Sequence, residues 1–325
     1  MYAWLSGEPG VENITWGEKP VPHPGNRELL TSVRAAAINF SDLLMIDDRY
    51  QVRPPRPFTP GQEIAGVVVA AGEGCQFGPG DRVASKVLWG GFAEYALIRD
   101  DMAIAIPEES SLDEAAALPI SYTTAVVALT QSTHVESGET LLVHGASGGV
   151  GVASIQIGNA LGAHVIATAG GPLKCEIARD EGAATVIDYS QEDFANRVTE
   201  LTDGEGAHVV LDPVGGDVTL KSLDCLAWNG RLLIVGFASG SVAQIPAHRL
   251  LLKAQQAVGV YWEHDRDMAA VQGAQSRVLE LLHNSQIAPR VDTHWSLHHA
   301  PEALSAMKRR MTTGKVVLTN SRSEK

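Results

Sequence analysis

With 325 residues, 45% of them hydrophobic, the chain has enough apolar material for two cores, since single cores stop growing near this size. Its 25 lysines and arginines stand against 38 acidic residues, and a formal charge of −13 argues against a nucleic-acid or anionic-membrane surface as the main partner. A small organic molecule is the better default. Cys75, Cys175 and Cys225 lie far apart with no CxxC, so neither a disulfide framework nor a thiolate metal site is expected. The start, MYAWLSGEPG, lacks a basic stretch followed by an apolar run, and no uninterrupted apolar segment is long enough to span a bilayer. The expectation is a soluble, cytoplasmic protein.

Residues 1–118 read as strand-rich, with apolar or alternating runs at 29–38, 64–70 and 92–98 separated by Pro- and Gly-bearing turns. From about Thr140 the rhythm changes to short buried strands alternating with helical stretches, the pattern of a parallel sheet. The strands fall at 140–144, 164–168, 185–188, 208–212, 231–235 and 257–260, with helices at 150–161, 173–181, 193–201 and 218–227. Gly162 and Gly182 serve as helix stops. Beyond Met268 a helix to about 283, a strand at 291–295, a short helix at 302–310 and a last strand at 315–318 have no place in that sheet. They are expected to return to the first domain and make it discontinuous.

The strand ending at His144 runs into GASGGVG at 145–151 and then into an apolar helix. Glycines there permit a tight turn, let backbone approach a pyrophosphate and let the helix pack close to the sheet, while free N–H groups face the phosphate charge. The candidate contacts are Ala146, Ser147, Gly148, Gly149 and Val150. The same letters spell GxSxG, with Ser147 as a hydrolase nucleophile and Asp212 and His248 following in triad order. Gly151 favours the dinucleotide turn, because a nucleophile elbow has no need of a third glycine one turn into the helix.

An NAD-selective site places a carboxylate after the second strand to bind the ribose hydroxyls. Here the segment is Ala-Thr-Ala-Gly170-Gly171-Pro172, with no acid, and Lys174 follows. A 2′-phosphate would gain a charge-assisted contact there, which favours NADPH, although Lys174 also reads as a solvated helix-start lysine. His294, His298 and His299 form the one local histidine cluster, but Pro301 disfavours the helical spacing that a metal site would need.

Several ordered markers then converge: NFSD at 39–42, PGQE at 60–63, GDRV at 80–83, GFAEY at 91–95, the glycine turn, DY at 188–189, DPVG at 212–215 and GK at 314–315. Over essentially its whole length the chain resembles the medium-chain dehydrogenase/reductase superfamily, and within it the zinc-free quinone oxidoreductase branch that includes zeta-crystallin. That resemblance implies an α/β fold, a Rossmann doubly wound parallel sheet at 119–261 with a β-rich GroES-like catalytic domain built from 1–118 and 262–325, and an active site in the cleft. Zinc-dependent relatives carry a cysteine where Asn39 stands and a histidine where Gln62 stands, and amides replace neither well on zinc. No metal is expected.

The implied chemistry is hydride transfer from NADPH to an acceptor that is already electrophilic, a quinone or an α,β-unsaturated carbonyl. By family position Asn39 and Thr124 lie near the nicotinamide and its ribose, Gly236, Phe237 and Lys315 line the same end, and Gly170, Lys174 and Tyr189 border the adenosine phosphate. Tyr50 matches a pocket tyrosine of bacterial members and is the candidate to hydrogen-bond the acceptor oxygen or relay a proton; together with Asn39 it forms the catalytic assignment. A second pocket tyrosine of those members falls on Leu44, and acceptor choice depends on the surroundings of Leu44, Tyr50, Trp89, Tyr261 and Trp262. Local readings stay open beside these: Asn39 and Asp42 as turn or helix-cap residues, Tyr50 as a loop anchor, Gln62 and Glu63 as remnants of a lost metal site. The family also implies a homodimer through the sheet edge near 257–261. A protein that binds NADPH with little turnover, in a structural or sensing role, would have nearly the same sequence.

Overall fold

The structure is a computed structural model that describes residues 1–320, and its contacts divide the chain at two crossings, after Ile120 and after Ala288. Met1–Ile120 and the segment from Pro289 form one unit, and Ser121–Ala288 the other. In the first stretch of chain, β1 (Tyr2–Ser6) and β2 (Ile14–Glu18) form an antiparallel pair. The eleven-residue β3 (Glu28–Ile38) pairs with both β4 (Glu63–Ala71) and β6 (Tyr95–Arg99), while β5 (Arg82–Lys86) joins β4 to β7 (Ile104–Ala105). Their inward residues, among them Leu29, Val33, Ala36, Ile38, Ile64, Val68, Val83 and Ile98, make one core. The strand expected at 92–98 begins at Tyr95 instead. Phe92 and Glu94 bond to the first strand, with Trp4 N–H on the Phe92 carbonyl and Glu94 N–H on the Tyr2 carbonyl, while the Glu94 carbonyl still accepts from Val33 N–H of β3.

The second unit opens on a helix at Ser121–Val126 that runs into a π-helical turn, Val127–Ser132. Then come β8 (Thr140–Val143), β9 (His164–Ala169), β10 (Thr185–Asp188), β11 (Ala207–Asp212), β12 (Leu226–Ile234) and β13 (Gln256–Gly259). All pair in parallel in the order β10-β9-β8-β11-β12-β13, the Rossmann order, because crossover helices cover both faces. Burial on both sides explains the continuous apolar runs such as TLLV and HVVLD. The helix expected at 218–227 stops at Ser222, since Ala207 N–H bonds the Cys225 carbonyl and Leu226 already pairs with Ala207.

A C-terminal stretch completes the first unit. β14 (Val291–Ser296) runs parallel to β15 (Lys315–Thr319), and β15 is antiparallel to β3, Val316 facing Ile38. This gives a seven-stranded sheet and a GroES-like unit that is discontinuous in sequence. The domain boundary expected at residue 262 is corrected to 289. The helix Met268–His283 packs within the second unit, where Gln131 donates to the Ala270 carbonyl, and Tyr122 and Gln156 both donate to the Ala288 carbonyl.

Between β3 and β4 the helix Phe40–Ile46 starts at Asn39, whose N–H donates to the Asp42 carboxylate at 2.8 Å. Burial pushes the Asp42 carboxyl up to about 7, against the pull of the Asn39 N–H and the Lys315 charge. The folded chain thus keeps a proton that the unfolded chain loses near pH 4, and folding stability falls as pH climbs from about 4 to about 7. Asp42→Asn keeps an acceptor for Asn39 and removes this titration. Urea unfolding across that pH window should show a flatter dependence for the variant than for the wild type, and equal slopes would refute the assignment.

Candidate functional site

In the second unit the glycine turn is built for two separate reasons. Gly145 has φ +60, and a Cβ on Gly151 would lie 2.3 Å from the Gly145 carbonyl oxygen, so these two glycines are demanded by the turn and by close helix packing. Gly148 differs: its φ of −93 suits any residue, and a Cβ there would touch only the Gly145 oxygen at 3.5 Å. Nothing in the fold requires a glycine at 148. Ala146 and Ser147 are buried, while Gly148, Gly149 and Val150 are partly open at the N-terminus of the helix Gly149–Ala160, whose first N–H groups lack intrahelical acceptors.

Beneath the turn, His144 contacts the hydroxyls of Thr168 at 2.8 Å and Ser222 at 2.9 Å and packs edge-on against Phe194. Burial drives its pKa down to about 4, so the imidazole is neutral. Asp212 accepts from the N–H groups of Val214 (2.8 Å) and Gly215 (3.0 Å) and from the Thr219 hydroxyl. His248 is exposed on the helix Ala247–Leu252, and among the described residues no hydrogen bond links it to Ser147 or Asp212. The Ser147 triad is therefore not assembled.

At the neighbouring strand end, Gly170 lies under the phenol of Tyr189: a Cβ would meet the Tyr189 Oη at 2.6 Å. Asp188 holds this turn by accepting from Gly171 N–H and from the N–H and hydroxyl of Ser190, and the Gly171 N–H first of all keeps its carboxyl below the usual range. Lys174 stands half-buried in the first turn of the helix Pro172–Asp180. Gly236 approaches the Pro213 carbonyl, and Phe237 packs on Gly215. Thr124, in the helix Ser121–Val126, accepts a hydrogen bond from the Trp262 indole N–H at 3.0 Å.

In the first unit Asn39 and Lys315 are brought together by Glu63. Lys315 Nζ is 2.6 Å from Glu63 Oε2 and 2.8 Å from Asn39 Oδ1, and Asn39 Nδ2 donates to Glu63 Oε2 at 2.9 Å. Glu63 Oε1 accepts from Ile120 N–H at 2.6 Å. Glu63 is fully buried and Lys315 is 4% exposed. Gln62, also buried, accepts from the Ser41 hydroxyl, while Tyr50 sits half-buried in the loop that follows the helix Phe40–Ile46. Sequence reasoning saw Glu63 only as a remnant; a charged residue at the head of an apolar strand, with a lysine heading another, was the available signal. The histidines disperse: His294 faces Asp113 at 3.3 Å, His298 packs on Trp16 and His299 tilts against Trp295. Among the described residues no group of three or more His, Cys, Asp and Glu side chains could hold a metal ion.

Lys315→Met strands a buried carboxylate and should cost about 3–5 kcal/mol in urea unfolding. The double variant Glu63→Gln with Lys315→Met, which removes both charges at similar volume, should regain most of that loss. A double variant as unstable as the single one would contradict the pairing.

A family model described as an alcohol dehydrogenase GroES-like domain matches residues 25–108, and one described as a zinc-binding dehydrogenase matches residues 149–275. Quinone oxidoreductase-like protein 2 of Rattus norvegicus is 38% identical over 308 residues, covering 93% of this chain and 88% of the rat protein. The quinone oxidoreductase of Pseudomonas aeruginosa is 34% identical over 316 residues, 95% of this chain and 96% of its own. The crystal structure of Escherichia coli quinone oxidoreductase complexed with NADPH superposes with a TM-score of 0.91 at 28% identity, covering 98% of this chain and all of the other. Both halves of the fold, the marker residues and these likenesses agree: the chain belongs to the zinc-free quinone oxidoreductase branch of the medium-chain dehydrogenase/reductase superfamily.

Proposed function

We propose that this protein is an NADPH-dependent oxidoreductase that reduces a quinone or an α,β-unsaturated carbonyl without a metal. The observation that carries the reading is Gly148, a glycine that the fold does not need, at a partly open turn facing free helix N–H groups. A ligand backed against that turn supplies the missing reason, and a pyrophosphate fits its hydrogen-bonding character. Lys174 and Tyr189 receive the 2′-phosphate, supported by the absence of a carboxylate directly after β9. Thr124, Gly236 and Phe237 serve the nicotinamide half. Bound NADPH supplies the hydride from the nicotinamide C4. The chain's part is to bind, orient and exclude water: Asn39 is held rigid for the nicotinamide end by Glu63 and Lys315, and Tyr50 offers its phenol proton to the acceptor oxygen. Amides at 39 and 62 suit this chemistry better than zinc-assisted alcohol oxidation.

We also propose a cytoplasmic homodimer joined through β13. That strand ends the six-stranded sheet, and Leu251, Leu252 and Tyr261 near it are strongly exposed. No described helix is long and apolar enough to cross a membrane.

Oxidation of NADPH by a panel of quinones, enals and enones should proceed, faster than with NADH, and survive exhaustive chelation. Tight NADPH binding without turnover on any acceptor would instead favour a binding or sensing role. Gly148→Ala should leave folding unharmed or stabilise it by about 0.4–1 kcal/mol while weakening NADPH binding roughly tenfold or more. Unchanged affinity in a calorimetric titration would remove the turn from the binding site.

A further inference from the structure

We infer that Trp262 is a positioning residue for the dinucleotide: by donating its indole N–H to the Thr124 hydroxyl it turns the Thr124 proton outward, toward an acceptor oxygen in the nicotinamide half, an inference that rests on the NADPH reading above. An indole can only donate, so the direction of this 3.0 Å bond is fixed, with no tautomer or amide flip to assign. Thr124 must be the acceptor.

Five other hydroxyls on or beside the helices of the same unit are turned back onto their own backbone. Thr130, Ser154, Thr199, Thr202 and Ser222 each donate to the carbonyl four residues earlier, at 2.7–2.9 Å. Among the described residues Thr124 makes no such bond, and its side chain takes part only in the contact with Trp262. Its position is also distinctive: every other residue of the helix Ser121–Val126 is buried, and Thr124 alone is partly open. With one lone pair taken by the indole and no acceptor on its own helix engaged, the Thr124 hydroxyl of this partly open residue keeps its proton to donate.

The location of Trp262 points to the ligand. It follows β13 by three residues, at the carboxyl edge of the parallel sheet, and Val260 N–H still bonds the Ile234 carbonyl. The glycine turn after β8, Gly170 after β9, the loop held by Asp212 after β11 and Gly236 after β12 all leave from that same edge. Open α/β sheets bind their ligands there. Trp262 thus reaches back 138 positions to orient a hydroxyl on the edge where a dinucleotide lies.

The test is direct NADPH titration by calorimetry on the full chain, with Trp262→Phe, Thr124→Val and their double variant. Trp262→Phe removes the donor and lets the hydroxyl turn back to its own helix, so affinity should fall about fivefold. Thr124→Val should fall by a similar factor, the double variant no further, and Thr124→Ser should keep near wild-type binding. Wild-type affinity in Trp262→Phe, or losses that multiply in the double variant, would overturn the inference while leaving NADPH binding intact. A wild-type chain that binds neither NADPH nor NADH would overturn the proposed function and this inference with it.

Discussion

A carboxylate with no access to water must be met by donors, and in this fold Glu63 meets three: the Lys315 ammonium, the Asn39 amide and the Ile120 N–H. Much of the first unit is arranged to satisfy it. Glu63 heads β4, Lys315 heads β15, and Asn39 closes β3, so three strands from distant parts of the chain are pinned at one level of the sheet. The same pair also holds the chain where it leaves and re-enters the unit. Ile120 is the last residue before the first crossing, and Lys315 N–H bonds the carbonyl of Arg290, just past the second.

That arrangement bears on chemistry. An ammonium tethered to a strand and bonded to two neighbours is a fixed positive charge, but it has only protons to offer and no open coordination position. Asn39, with its carbonyl turned to Lys315 and its amino group to Glu63, is rigid for the same reason. Such a centre can organise a pocket; activating an unreactive alcohol is a different task.

The second unit was the more legible half. Its strands are buried on both faces, so each writes itself as an apolar run, and glycine punctuation marks the turns; the six expected strands match the six observed to within a few residues, save that β12 begins five positions earlier, at Leu226. Difficulty came where the partner of a segment lies far away. The amphipathic helix at 268–283 says that it packs against something, and only the fold says that the partner is the second unit. Lys315 is placed at the cofactor end by family position, and its counter-charge, 252 residues earlier, leaves no trace in the local sequence. Trp262 and Thr124 carry no local sign of each other. Local pattern determines elements; the bonds that assemble a site join residues that share no window.

The two kinds of glycine in the turn answer to different selection. Gly151 is required by packing alone, so any descendant that still folds must keep it, whatever it binds. Gly148 is not required by packing, and on the proposed function only the bound dinucleotide calls for it. In a lineage that abandoned the dinucleotide and survived as a scaffold, position 148 would accumulate side chains early while 151 stayed fixed, and comparing those two positions alone would separate working members from retired ones.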